Sequence, residues 1–259
     1  MHYDIIKDKF AKLIEIVPAF RKLFYLLLDL LLLRQWYVKK EIKKYYTKDK
    51  ELRFYDAGAG FGQYSYFILK YFKKAKVHAV DLKMDYIDSF ARYAKLLGWQ
   101  DFTVQQANLV NYTPNDKFDL IVAIDILEHI EDDVQVLKNF RQVLDDGGKL
   151  IISSPSTFDE SAKFVEEHIR PGYDKDEIIS KLENAGFRIV SFDFSYGKIG
   201  HLAWLLTMKY PMSLLGISKL FFLLLPFYYL IIYPISALFM WLDLKMKNKV
   251  GTGVIVVAE

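Results

Sequence analysis

Cysteine is absent from this 259-residue chain. Its absence excludes a disulfide framework and any metal site with thiolate ligands. A cationic start is missing too, and the first long apolar run begins only near Leu23, without a small-residue cleavage site. Because a secretory signal peptide needs these features, we expect none and predict a cytoplasmic location.

A large excess of charge of one sign is also lacking, since the net charge is +3. The charges are nevertheless unevenly spread. Residues 1–53 carry 13 basic and 7 acidic side chains, residues 54–196 carry 16 and 23, and residues 197–259 carry 6 and 2. Both basic regions contain apolar runs, and cationic flanks beside apolar helices favour an anionic membrane surface. Because these flanks border apolar segments rather than a polar groove, we expect no nucleic-acid partner.

Two segments are apolar on nearly every helical face. Leu23–Leu33 contains Asp29 and is too short to cross a hydrocarbon layer of ~30 Å. It predicts either a helix packed on the domain or one lying in the bilayer interface. Leu220–Leu242 has no charged residue and is long enough to span a bilayer, but Pro226 and Pro234 are expected to break it into shorter pieces.

The position of the second segment argues against a crossing. An apolar strand pattern, Gly253–Glu259, follows it, and a single crossing would separate that strand from its own sheet. We therefore expect a bent, re-entrant or interface-lying helical hairpin in monotopic contact with a membrane. An internal lid or a homodimer interface is the alternative.

A glycine-rich turn, Asp56–Gly62, stands between an apolar strand pattern and an apolar helical pattern. Glycines there let backbone N–H groups approach a ligand closely. The spacing is D-x-G-x-G-x-G, whereas a dinucleotide fingerprint would place its third glycine at Gln63. The acidic residue that opens the loop favours a cationic group. The loop therefore predicts binding of S-adenosylmethionine (SAM).

Polar residues follow the next three predicted strands. The second strand, Val77–Asp81, ends in an acid that can accept hydrogen bonds from ribose hydroxyls. Asn108 follows the third strand, and Asp125 ends the fourth. The segment Ile126–Asp132 comes directly afterwards. Since the carboxyl ends of parallel strands meet at one sheet edge, these residues are predicted to share a site.

Taken together and in this order, the motifs DAGAGFG, VDLKMDYI, FDLIVAIDILEHIEDD and DDGGKLIISSP resemble the class I SAM-dependent methyltransferases. The likeness is closest to the branch of the ubiquinone and menaquinone methyltransferases, and covers about Glu51 to Gly200 plus the last strand. It implies an α/β fold, with a doubly wound, seven-stranded Rossmann-like sheet of order 3-2-1-4-5-7-6 and an antiparallel strand 7. N-terminal helices, predicted over Ile5–Val17 and Ala19–Tyr46, and an apolar helical insert before the last strand would complete it.

Three regions follow from this resemblance. Residues 1–50 would form an N-terminal helical segment, residues 51–200 with 248–259 the SAM-binding domain, and residues 201–247 the apolar insert. The residues expected to bind the cofactor are Asp56, Gly58, Ala59, Gly60, Gly62, Asp81, Leu82, Asn108, Leu109 and Asp125.

Two histidines are candidates for a general base. His129 follows the fourth strand at the mouth of the cofactor cleft, and His168 lies in the loop before the last helix of the domain. Histidine suits this role near neutral pH. Each could instead only fix its own loop. His78 is expected in the core, and His201 is assigned mainly a structural role, although it could line a pocket of the insert.

No metal is expected, because Glu128, Glu167 and the two candidate histidines lack the i, i+4 spacing of a metal site. The sequence thus predicts a SAM-dependent methyltransferase on the inner face of the cell membrane. Its substrate would be a lipophilic small molecule of the quinone, polyene, isoprenoid or lipid type, with O-methylation slightly favoured. A soluble enzyme for a polar metabolite, or a non-catalytic SAM-binding membrane module, is the alternative.

Overall fold

The computed structural model describes residues 18–159 and 169–259, so the predicted helix Ile5–Val17 and His168 lie outside the described residues. A seven-stranded sheet forms its centre. The strands are β1 (Leu52–Ala57), β2 (Ala75–Asp81), β3 (Phe102–Gln106), β4 (Phe118–Ile124), β5 (Leu144–Pro155), β6 (Ile189–Ser195) and β7 (Gly253–Ala258). Their order is β3-β2-β1-β4-β5-β7-β6, and β7 runs antiparallel to both β5 and β6. The predicted fold is confirmed.

Helices cover both faces of the sheet. They are α1 (Pro18–Leu31), α2 (Leu33–Tyr45), α3 (Gln63–Tyr71), α4 (Met84–Leu96), α5 (Asp133–Val143), α6 (Lys175–Asn184), α7 (Lys198–Trp204), α8 (Tyr210–Ile217) and α9 (Leu225–Lys245). Strand residues alternate between the two cores. Tyr55 and Ile121 pack on the α5 and α6 side, whereas Phe54 and Leu120 pack on the side of α2 and α3. Each large side chain buried in this way contributes about 1.5–3 kcal/mol.

The prediction of one continuous helix over Ala19–Tyr46 is wrong. Leu32 has an extended conformation, with φ −106° and ψ 107°, and separates α1 from α2. Just beyond the break, the Arg34 N–H donates to the Tyr196 hydroxyl at 3.1 Å instead of to a helical carbonyl. The break therefore lets the chain turn over the carboxyl edge of the sheet.

The insert between β6 and β7 is helical, as predicted. α7 continues through a π-helical turn, Leu205–Lys209, into α8, and a 3₁₀ turn, Lys219–Leu224, leads into α9. The hydroxyls of Tyr228 and Tyr229 donate to the carbonyls of Leu206 and Thr207, at 2.8 and 2.7 Å. These bonds tie α9 to the π-helical turn.

The expected breaks at the two prolines of the insert did not both occur. Pro226 lies in the first turn of α9, where a backbone N–H has no intrahelical partner. Pro234 lies inside α9, which nevertheless runs unbroken for 21 residues. Within the described chain, Lys219–Lys245 is the one stretch that is long and apolar enough to cross a membrane, and only 6% of its most apolar window is buried.

Candidate active site

The glycine loop brings backbone N–H groups to the carboxyl end of β1. Gly58 has φ +77°, and a Cβ there would lie 2.7 Å from Cγ1 of Ile126. Gly60, with φ +53°, would meet no atom within 4 Å. The loop therefore packs tightly against the segment after β4 at one glycine and faces open space at the other.

One cleft is lined by half of the predicted cofactor residues, namely Gly58, Asp81, Leu82, Asn108 and Leu109. Its walls also include Ala107, Ile126 and His129. The Asp81 carboxylate accepts the N–H of Gly60 at 2.7 Å and that of Lys83 at 2.9 Å. A carboxylate has about four acceptor positions, so ribose hydroxyls could still bind it. This cleft suits a nucleoside.

The same cleft also offers an apolar side chain, that of Leu82, and an amide side chain, that of Asn108. Leu82 is 64% exposed, which leaves an apolar surface for a base to stack on. The Asn108 amide oxygen accepts the N–H of Val110 at 3.0 Å. Its second lone pair matches the predicted bond from the adenine amino group.

Asp56 has a different environment from Asp81. It is 2% exposed, and its Oδ2 accepts both the N–H and the hydroxyl of Ser65, at 3.0 and 2.6 Å. Burial raises the pKa of Asp56 to about 6, although the bonds from Ser65 oppose this shift. The carboxylate therefore caps α3 and fixes the loop. Its predicted contact with the methionine ammonium stays a prediction.

Arg34 and Asp125 form an ion pair between the start of α2 and the end of β4. Within residues 18–159 and 169–259, Arg34 Nε and Asp125 Oδ1 are buried without a hydrogen-bond partner. Tyr64, also buried, is close enough for the Arg34 guanidinium to oppose the rise of its pKa on burial. Unsatisfied buried groups are costly, so a ligand is expected here. The methionine zwitterion of SAM fits, since it carries a carboxylate for Arg34 and an ammonium for Asp125.

A second cavity lies beside this ion pair, and Arg34 and Asp125 form part of its lining. The ends of β4, β5, β6 and β7 form its floor, and α2 and α7 cover it. Its lining includes Arg34, Asp125, Ser154, Tyr196, His201 and Trp204.

Backbone strain is concentrated at this second cavity. Asp125 and Tyr196, with φ of +50° and +52°, are the non-glycine residues with positive φ in the described part of the chain. Each such conformation costs roughly 1–2 kcal/mol, and strain of this kind tends to gather at active sites. The second cavity is therefore the candidate site for a methyl acceptor.

His129, one of the two predicted bases, is not among the residues that line the second cavity. His129 lines the cofactor cleft, where its backbone N–H donates to the Ile126 carbonyl at 3.1 Å. Its neighbour Glu128 is fully buried and accepts the Ser154 hydroxyl at 2.8 Å, and burial raises the pKa of Glu128. The catalytic role of His129 stays a prediction, and its position favours a role beside the cofactor. No trio of metal-ligating side chains occurs within the described ranges.

Arg34, Arg170 and Tyr196 are residues whose roles the sequence did not indicate, whereas His201 was predicted to be mainly structural, with a place in the wall of a pocket as the alternative. Arg34 could be interpreted only as a cationic flank of an apolar run. Arg170 donates to the carbonyls of Leu127 and Ile130, at 2.9 and 2.8 Å, and so fixes the turn after β4. The contacts of Arg34 with Asp125 and Tyr196, and those of Arg170 with the turn after β4, join segments far apart in sequence, so no local pattern could have revealed them.

Comparisons with known proteins agree with this geometry. A family model described as a methyltransferase domain matches residues 48–195. Malonyl-[acyl-carrier protein] O-methyltransferase 1 of Ilyobacter polytropus is 26% identical over 156 residues, which is 56% of each chain. Phosphoethanolamine N-methyltransferase 1 of Arabidopsis thaliana is 33% identical over 141 residues, 51% of this chain and 28% of that protein. The chain thus spans about half, or less, of the length of these curated relatives.

A solved structure extends the likeness to most of the fold. A SAM-dependent methyltransferase from Clostridium acetobutylicum superposes with a TM-score of 0.55 over 86% of this chain and 88% of its own. The two sequences are 13% identical, so this match shows the fold alone.

Proposed function

Because this chain belongs to the methyltransferase domain family, the class I SAM-dependent methyltransferases that its motifs resemble, we propose that it transfers a methyl group from SAM to a lipophilic small molecule. One observation carries the proposal. Asp125 and its ion-pair partner Arg34 line the second cavity, and Ile126, the next residue in the chain after Asp125, lines the cofactor cleft. A cofactor held in the cleft can therefore meet an acceptor held in the second cavity.

The chain's own residues would bind and orient the reactants. Bound SAM supplies an electrophilic methyl group on a sulfonium. Asp81 holds the ribose side of the cleft, and Arg34 with Asp125 takes the methionine end. Arg34 of α2 and His201 and Trp204 of α7 form part of the wall of the second cavity. Orientation and proximity of this kind can supply ~7–11 kcal/mol of the barrier reduction.

The exposed surface of the insert supports a lipophilic acceptor and a membrane location. Ile217, Leu220, Phe227, Leu230 and Ile231 are each between 67% and 77% exposed. Soluble monomers rarely expose apolar side chains in such a contiguous group.

Helix α9 is buried only in its second half. The buried residues of α9 are Ser236, Met240 and Asp243, all in its second half. The residues from 225 to 235 span roughly 16 Å at 1.5 Å per residue, about half of a ~30 Å hydrocarbon layer. The proposal is therefore monotopic contact with one leaflet on the cytoplasmic side, with both ends of the insert attached to the sheet domain.

Basic side chains on α2 support an anionic membrane surface. Lys39, Lys40, Lys43 and Lys44 line a groove with Trp36, beside the end of α9. A lysine near such a surface contributes about 1 kcal/mol to binding, and tryptophan is enriched at the same depth.

The test combines SAM that carries a labelled methyl group with vesicles made from a total lipid extract of the cells that produce the protein. Label is expected in the organic phase after extraction, in a product that alkali does not release as methanol. Absence of a labelled lipid, together with transfer to water-soluble metabolites, would favour the soluble alternative with the apolar helices as a homodimer interface. Absence of SAM binding in calorimetry would rule out the function altogether.

A further inference from the structure

We propose that His201, on the apolar insert, accepts the proton of a hydroxyl group on the methyl acceptor. This inference rests on the proposed function and extends it, because it makes the insert part of the active site. It also assigns the acceptor to the class of amphipathic molecules with a hydroxyl on an apolar body.

His201 lines two neighbouring cavities. It lines the second cavity together with Asp125 and Ser154, and it also lines an outer cavity between Phe158 and Lys209. The two cavities are adjacent, because they share Asp159, Tyr196, His201, Trp204 and Thr252. The His201 ring therefore lies on the wall between the outer cavity and the cavity that contains Asp125.

The other described histidines are placed for different tasks. The ring nitrogens of His78 are bound to the hydroxyls of Thr103 and Tyr112, at 2.7 and 2.8 Å. His129 lines the cofactor cleft. Within residues 18–159 and 169–259, His201 is thus the histidine that faces the acceptor cavity.

A buried polar contact fixes the helix that carries His201. The Asp243 carboxylate of α9 is fully buried and accepts the Gly200 N–H at 3.1 Å and the Tyr37 hydroxyl at 2.9 Å. A Cβ at Gly200 would lie 2.6 Å from Asp243 Cγ, so α7 approaches α9 as closely as glycine permits. The His201 ring then stacks on Trp204, with centroids 5.6 Å apart. Asp243 is accordingly a positioning residue for His201.

The walls of the two cavities define the acceptor. Trp204 and Phe158 provide apolar surface, and Ser154 with Thr252 provides hydroxyls near the strand ends. Arg34 and Asp125 form an ion pair in the lining and so neutralise one another, and Asp159 adds a carboxylate to the walls of both cavities. A neutral hydroxyl on an apolar body suits such a lining better than a second cation beside a sulfonium.

Methyl transfer from SAM to a hydroxyl oxygen needs no further reactant. The imidazole of His201 takes the hydroxyl proton while the oxygen's electron pair forms the bond to the methyl carbon that SAM supplies. The pair of the broken C–S bond remains on sulfur. The products are a methyl ether, S-adenosylhomocysteine and an imidazolium that returns its proton to water. General-base catalysis of this kind contributes about 100-fold or more.

The first test measures methyl transfer to the total-lipid vesicles defined above, with His201→Ala, His201→Gln and a matched control, His78→Gln. Both His201 variants are expected to lose about 100-fold in rate, with SAM affinity in calorimetry unchanged. Added imidazole should restore part of the rate to His201→Ala, and His78→Gln should stay near wild type. A near-normal rate in folded His201→Gln would overturn the inference. Loss in Asp159→Asn but not in His201→Gln would assign the proton to Asp159 instead.

A second readout does not depend on turnover. Diethyl pyrocarbonate labels accessible imidazoles, and peptide mass spectrometry locates the label. With S-adenosylhomocysteine present, the same vesicles are expected to slow labelling of His201 at least several-fold and to leave His78 unchanged. Equal labelling of His201 with and without vesicles would contradict the inference. If wild type itself transfers no methyl group to the vesicle lipid, the proposed function fails, and this inference fails with it.

Discussion

The cofactor cleft and the apolar insert meet at one cavity, but different chemistry builds each of them. In the cleft, backbone N–H groups of a glycine loop and short polar side chains such as Asp81 face a space open to a ligand. In the insert, polar contacts are few and buried, as at Asp243, and the outer surface is apolar and exposed. A ligand site such as the cleft can be predicted from short sequence motifs. The role of an apolar surface such as that of the insert depends on what the surface packs against.

The largest expected effect is on membrane binding, and it compares apolar side chains exposed on the insert with one exposed on the sheet domain. Replacing Leu230 and Ile231 with lysine should abolish flotation with anionic phospholipid vesicles, because two large apolar contacts of about 1.5–3 kcal/mol each are lost. The matched control is Leu96→Lys, at a leucine of α4 that is 71% exposed on the sheet domain. Flotation of the control should equal that of wild type. Equal flotation of all three proteins would mean that the insert does not contact the bilayer.

A second prediction compares two buried residues on the same face of α9. Asp243→Ala removes the acceptor for the Gly200 N–H and the Tyr37 hydroxyl, and should lower the free energy of unfolding by roughly 2–5 kcal/mol. Ser236→Ala should cost less than about 0.5 kcal/mol, because the buried Ser236 hydroxyl has no hydrogen-bond partner in the described chain. Urea unfolding measures both changes. Similar losses would show that shape rather than hydrogen bonding holds the insert.

A third prediction concerns the buried acid of the cleft. The pKa of Asp56 is raised to about 6, above the ~3.9 of an unfolded aspartate, so between these values the folded state binds more protons. Its contribution to stability is therefore complete below about pH 4 and falls by roughly 3 kcal/mol as the pH rises through 6. Asp56→Asn should remove this slope. Unfolding at several pH values checks it, and parallel profiles for variant and wild type would refute it.

The smallest expected effect is on cofactor affinity. Asp81→Ala should weaken SAM binding by about 1.5–3 kcal/mol, since hydrogen bonds from the ribose to a charged group are lost. Asp85→Ala, at an exposed carboxylate one turn away, should leave the affinity unchanged. Calorimetry distinguishes them. Equal affinities of Asp81→Ala and wild type for SAM would mean that the ribose binds elsewhere in the cleft.

The same contrast explains how much the sequence could predict. The sheet order was implied by the resemblance to the methyltransferase family, and the helical insert and the polar residues Asp81 and Asn108 were predicted from patterns that are contiguous in the chain. The break at Leu32 was not predicted, and the bond that the Arg34 N–H makes just beyond it is with Tyr196, 162 residues away. Pro234 indicated a break, but α9 continues through it.

For the site residues too, the sequence predicted the type of side chain but not the contacts that decide its role. Asp56 has the right residue type for a cofactor contact, but its position beside Ser65 gives it a capping role that spacing alone could not reveal. His201 was assigned mainly a structural role, with a place in the wall of a pocket of the insert as the alternative. Its exposure to the acceptor cavity depends on how α7 packs against α9 through Gly200.

The place of β7 in the sheet also sets the order in which the molecule can be completed. Every residue of β7 is buried, and β7 separates β5 from β6, yet it follows the entire apolar insert in the chain. During synthesis the insert leaves the ribosome while the sheet still has a gap where β7 belongs. Pairings between such distant segments form slowly. The growing chain therefore passes through a stage in which its most apolar surface is complete and its core is not, and a bilayer nearby would capture it before the fold closes.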